Sequence, residues 1–119
     1  MQPNERDAGL LWDMLDACRN AREISRDADW EDFLNDLKLR LAVERCLEII
    51  GEAAGKISEG FRQSSPEIPW RKIKGMRNIL AHDYGRIDYT LIYETVSERI
   101  PELLKALEAL MPSSEDKGQ

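Results

Sequence analysis

The feature that most constrains this chain is the spacing of its apolar residues, which return every three or four positions along most of its length. Leu10, Leu11, Met14, Leu15, Cys18 and Ile24 form the first such series and predict a helix from about Asn4 or Asp7 to about Arg26. Trp12 falls off that stripe and faces either a partner or the helix edge. Asp29 ahead of Trp30-Glu31-Asp32 reads as an acceptor cap followed by acids in a first turn. From Trp30, Phe33, Leu34, Leu37 and Leu41 through Leu47, Ile50, Ala54, Ile57 and Phe61 the period holds for about 30 residues without a proline, which predicts one long central helix. Gly51 and Gly55 leave a smooth strip on it, suited to close packing of another helix.

Ser64-Ser65-Pro66 ends that pattern, and Pro69 sits well as the first residue of a third helix carrying Trp70, Ile73, Met76, Ile79 and Leu80. The Asp83-Tyr84-Gly85 stretch should loosen or end it. Asp88 then caps a fourth helix to about Met111, with Leu91, Ile92, Val96, Ile100, Leu103, Leu104, Leu107 and Leu110 inward. Pro101 inside it predicts a kink. No strand-type alternation and no internal repeat occur. The expected class is all-α: an antiparallel four-helix bundle over residues 1–112, followed by a polar tail at 113–119.

A chain of 119 residues with 42% hydrophobic and 34% charged side chains is sized for one globular domain with its own core. No apolar run reaches the roughly 20 residues that span a bilayer, and the N-terminus lacks a secretory pattern, so the expected location is the cytoplasm. Cys18 and Cys46 are far apart and outside any metal-binding spacing. They read as reduced thiols in or near the core, and neither a metal nor a cofactor is expected.

The total charge of −6 argues against general affinity for nucleic acid. Residues 71–86 depart from that average. They hold Arg71, Lys72, Lys74, Arg77 and Arg86 against Asp83 alone, five cations to one acid and a local charge of +4, leaving −10 on the remainder. Such a segment is either a local anion site or a contact for acidic parts of the fold or of a partner.

The single histidine lies in this stretch, at His82. A lone histidine in a helical domain more often serves structure, but here Arg77, Asn78, Asp83 and Tyr84 crowd polar groups around it. Imidazole exchanges protons near neutrality, and a guanidinium fork matches phosphate oxygens. The pair suits phosphodiester cleavage without a metal.

Arg77-x4-His82-x-Tyr84 resembles the RX4HXY signature of HepT toxins in the HEPN superfamily. Pro69-Trp70-Arg71-Lys72-Ile73, Gly75-Met76-Arg77-Asn78, Gly85, Ile87-Asp88, Glu44 and Gly51-Glu52-Ala53-Ala54 extend the resemblance over nearly the whole domain. The resemblance implies a HEPN-like bundle and an endoribonuclease of a type VII toxin–antitoxin system that cuts transfer or messenger RNA. It makes Arg77 and His82 the catalytic pair, with Asn78 and Asp83 in support. It makes Tyr84 the tyrosine that a cognate nucleotidyltransferase antitoxin modifies with AMP to silence the toxin. Arg71, Lys72, Lys74 and Arg86 are then candidates for RNA phosphate contacts.

RNA carries its own nucleophile, the 2′-hydroxyl, so such a protein has to move a proton and steady a charged phosphorane. His82 acts as base or acid and Arg77, with Lys74, as charge stabiliser, which predicts 2′,3′-cyclic phosphate and 5′-hydroxyl ends. One histidine is few for acid–base displacement, and a two-fold dimer would bring two copies of His82 to one cleft, so a homodimer is expected. Arg77 and His82 lie about 140° apart on an ideal helix. Either the helix distorts after Leu80, or the long arginine reaches round, or the partner subunit contributes. Tyr84 also has a plain packing role open to it, and Tyr89 and Tyr93 read as packing residues. The other readings are a non-catalytic HEPN module that binds nucleotide or nucleic acid beside the transferase, and a helical dimer that serves only as an interaction partner.

Overall fold

The computed structural model describes residues 3–80 and 88–111, residues 77–80 as backbone only. These residues form helices and turns, with no strand among them. The helices are α1 (Glu5–Ser25), α2 (Trp30–Asn35), α3 (Leu37–Lys56), α4 (Glu59–Ser64), α5 (Trp70–Leu80), α6 (Tyr89–Glu94) and α7 (Ile100–Leu110). A π turn at Thr95–Arg99 joins α6 to α7 in one continuous rod. Four rods therefore make the bundle, namely α1, α3, α5 and α6–α7, with α2 and α4 as short connecting helices.

Side chains set the helix starts. Asn4 Oδ1 accepts from the Asp7 amide at 2.7 Å and opens α1. Asp29 and Asp32 exchange backbone–side chain bonds of 2.8 and 3.1 Å, a capping box for α2. Asp27, at φ 65°, makes the left-handed turn between α1 and α2, a conformation aspartate tolerates better than most residues. Asp88 accepts from the Leu91 amide at 3.2 Å and opens the last rod as its sequence position suggested.

The long helix expected from Trp30 to Phe61 is instead cut twice. At Asp36 the backbone is extended, and its carboxylate accepts from the Leu39 amide at 3.1 Å, so one residue ends α2 and starts α3. At Ser58 the hydroxyl accepts from the Phe61 amide at 3.3 Å and starts α4. Short polar side chains compete with the helix for backbone groups, and the apolar period runs on across both sites. Arg40 holds the first break together by donating to the main-chain carbonyls of Phe33, at 3.2 Å, and Leu34.

The break at Asp36 has a cost for the apolar stripe. Leu37 and Leu41, expected inward, are 57% and 55% exposed, because Leu41 lies about 200° around α3 from buried Val43. Leu34, Ile24 and Leu91 also face outward. The core is drawn from Leu11, Met14, Leu15 and Cys18 of α1, Val43, Leu47 and Ile50 of α3, and Ile73 and Met76 of α5, closed by Ile92, Ile100 and Leu107. Each large side chain among these contributes about 1.5–3 kcal/mol by leaving water. α1 packs chiefly on α3, α3 on α5, and α7 against α1. Gly51 is buried as the smooth strip requires, whereas a Cβ at Gly55 would meet nothing within 4 Å. Trp12 is half-buried and packs against the core.

Pro101 produces a π turn where a kink was expected. Proline cannot donate a backbone hydrogen bond, and its ring crowds the carbonyl four residues earlier. The chain widens just before it, so that the Ile100 amide bonds to the Thr95 carbonyl five residues back. Thr95 is buried there, and its hydroxyl donates to the Leu91 carbonyl at 2.7 Å. Near the start of the same rod, Tyr93 meets Trp30 and Phe33 with ring centroids 5.5 and 5.6 Å apart, which docks α2 onto α6. Among the described residues no helix is long and apolar enough to cross a membrane.

Candidate functional site

The basic stretch lies on α5, and its start is firmly built. The Pro69 carbonyl accepts from the Ile73 amide at 3.0 Å, which puts Pro69 just before the helix rather than in its first position. The Trp70 indole N–H donates to the Ser65 carbonyl at 3.0 Å, and the ring meets Phe61 edge-on at 6.4 Å. α5 is thereby tied to α4. Ile73 and Met76 are buried, and Arg71, Lys72 and Lys74 on the same helix are exposed.

Arg71 and Lys72 stand in the first turn of α5, the wrong end of a helix for cations, and Lys74 follows in the second turn. An α-helix is positive at its N-terminus, where each cation costs about 0.3–1 kcal/mol if exposed at low salt. α5 has no acid in its first turn to offset them. Among the described residues none of the three takes part in an ion pair or side-chain hydrogen bond. Among the described residues nothing offsets these charges, and an anion bound at this position would.

Arg77 and Asn78 lie on the last turns of α5, Arg77 three positions after Lys74 and hence next to it on the helix surface. His82, Asp83, Tyr84 and Arg86 lie outside the described residues, and so does the meeting of Arg77 with His82. The described residues resume at Asp88 and Tyr89. The Tyr89 ring meets Phe33 at 6.4 Å and carries the Arg40 guanidinium 4.9 Å above its centroid.

A groove of about 520 Å³ runs between α5 and the α6–α7 rod. Ile73, Met76 and Leu103 give it an apolar floor, all three buried. Lys72 stands on the α5 side and Arg99, the last residue of the π turn, on the other. Glu67 and Glu102 add carboxylates to its rim. Arg99 and the two glutamates carry no motif and only the fold brings them to Lys72. Gly75 also lines the groove, and a Cβ there would meet nothing within 4 Å. Glycine inside a helix costs about 1 kcal/mol relative to alanine, and the described chain shows no neighbour that requires it.

The remaining titratable groups have structural settings. Burial pushes the Cys18 thiol up to about 12, with nearby Cys46 adding to the effect. Cys46 is also raised, first by burial and then by Asp16. Neither supplies a thiolate at neutral pH. Burial raises the Glu44 carboxyl as well, against the opposing pull of Arg40. Among the described residues no group of three or more His, Cys, Asp or Glu side chains is placed to hold a metal ion.

Comparison with known proteins places this chain in a family. The family model described as ribonuclease HepT-like matches residues 14–110. A relative from Methanocaldococcus jannaschii, named provisionally as an RNase, is 41% identical over 83% of this chain and 91% of its own. A second protein of that organism with the same kind of name is 38% identical over 91% of this chain and 93% of its own. The "Probable ribonuclease HepT" of Thermococcus cleftensis is 43% identical over 84% of this chain and 91% of its own. No solved structure matches the chain. The match covers α3, α5, the segment between α5 and α6 and the whole last rod, and the chain belongs to the HepT-like ribonuclease family.

Proposed function

We propose that this chain is the toxin half of a type VII toxin–antitoxin pair, a cytoplasmic endoribonuclease that cuts transfer or messenger RNA. The observation that carries the reading is the RX4HXY signature of a HepT-like family member, its arginine on a helix whose other cations have no ion-pair partner among the described residues. In this mechanism a base, His82, takes the proton of the RNA 2′-hydroxyl. The freed oxygen bonds to the adjacent phosphorus, the bond from phosphorus to the 5′-oxygen breaks, and that oxygen leaves with a proton. Arg77, with Asn78 and Asp83 in support, stabilises the charge that grows on the phosphorane. Arg71, Lys72, Lys74 and Arg86 hold neighbouring phosphates. A two-fold homodimer supplies a second His82 as the acid. The ends produced are a 2′,3′-cyclic phosphate and a 5′-hydroxyl.

Silencing follows from charge. A cognate nucleotidyltransferase transfers AMP from ATP to the Tyr84 oxygen, which gives up its proton as pyrophosphate leaves, placing negative charge and bulk where the RNA phosphate belongs. Expression of the wild type without a transferase should stop growth and fragment cellular RNA, and the Arg77→Ala and His82→Ala variants should do neither. Intact RNA under strong wild-type expression refutes the nuclease. Co-expression with the transferase should raise the mass of the Tyr84 peptide by AMP units, and modification elsewhere refutes the silencing step.

A further inference from the structure

An apolar groove with charged residues in its lining lies between α5 and the π turn. Its floor is apolar and buried, and two cations face it from separate elements, Lys72 from α5 and Arg99 from the π turn. Among the described residues neither cation is ion-paired. A concave surface of about 520 Å³ falls within the usual size range of small-ligand pockets. Gly75 also lines the groove, and without a Cβ it leaves the α5 wall open there.

We propose that this groove takes one unpaired nucleotide of the RNA, beside the phosphate cut at Arg77. The inference rests on the ribonuclease reading above and adds a subsite to it. The base lies on Met76 and Leu103 with its face toward Gly75, and the flanking phosphates meet Lys72 and Arg99. Glu67 or Glu102 accepts from the base edge, which favours guanine, whose adjacent N–H groups suit one carboxylate, over uracil. A π turn at such a place has a function besides accommodating Pro101, because it sets Arg99 on the wall of the groove.

The test uses the full chain carrying His82→Ala, so that binding is read without turnover, and the labelled pentanucleotides AAGAA and AAUAA. Fluorescence anisotropy should show AAGAA bound several-fold more tightly than AAUAA, with the preference removed by Glu67→Gln together with Glu102→Gln. Lys72→Ala and Arg99→Ala should each weaken binding about 5–10-fold and lower the slope of log affinity against log salt by about 0.7. Gly75→Ala is the sharper variant. It should keep or raise the melting temperature by a few degrees yet weaken binding, a combination that a structural role for the glycine does not produce. Unchanged affinity in all these variants overturns the subsite. So does loss of the dimer in light scattering with RNA affinity intact, which assigns the groove to a second copy. If the wild type never cleaves RNA but the groove variants bind more weakly than the parent, the subsite stands and the nuclease reading falls. If the wild type cleaves and the groove variants bind normally, the reverse holds.

Discussion

The buried carboxylate of Asp7 accepts from both the amide and the hydroxyl of Ser58, at 2.9 and 2.5 Å, and so ties the first turn of α1 to the start of α4. The two residues are 51 positions apart, and the same serine caps α4. Replacing Asp7 by alanine leaves two donors short of a partner in a half-buried place. We expect a loss of about 2–3 kcal/mol, read as a fall in melting temperature of about 10 °C. Ser58→Ala should cost less, and the double variant should cost less than the sum of the two.

Arg40 joins three elements at once, through the carbonyls closing α2 and the ring of Tyr89 at the start of α6. Arg40→Ala should lower stability by about 1–2 kcal/mol in thermal melts. Arg40→Lys should recover only part of that, because an ammonium cannot serve two carbonyls and a ring face in the same way. RNA cleavage should fall further than stability does, since Tyr89 anchors the chain immediately after the signature residues.

The cations at the head of α5 lead to an unusual pair of expectations. Arg71→Gln and Lys74→Gln should leave the melting temperature unchanged or slightly higher, because a charge opposed to the helix dipole is removed. Each should nevertheless weaken RNA binding several-fold at low salt, with the difference shrinking as salt is added. Binding titrations at two salt concentrations decide it. A destabilised variant with normal RNA affinity contradicts the assignment.

Cys18 leads to a pH prediction. Its folded value of about 12 stands above the ordinary 9.0, so between those values the unfolded chain gives up a proton that the folded chain keeps. Stability should therefore be intact below about pH 9 and decline above it through this group. At neutral pH a thiol reagent should label the native protein only as fast as it opens, which a comparison of labelling with and without denaturant measures.

Sequence reading found what is encoded locally. Asp29 and Asp88 each combine an acceptor side chain with a following apolar series, and both open helices. Asp36 and Ser58 do the same chemistry inside an unbroken apolar period, so nothing in the spacing marks them as breaks. Leu37 and Leu41 were misplaced for the same reason, since the phase of a stripe is lost wherever a helix restarts. The exposed cations of α5 were legible because Arg71, Lys72 and Lys74 are neighbours in sequence. The facing wall of the groove was not, because Arg99 and Glu102 reach it through the course of the last rod. Asp7 and Ser58 are hidden in the same way, each unremarkable until the fold sets them together.

The π turn ahead of Pro101 holds one residue more than an α-helical turn would. That surplus rotates α7 relative to α6 by about 100° about their shared axis. One rod can thus turn Tyr89 and Tyr93 toward α2 while aiming Leu103 and Leu107 into the bundle. Shortening Thr95–Arg99 by a single residue would put the two halves out of step, and either the aromatic dock or the apolar seam would have to open.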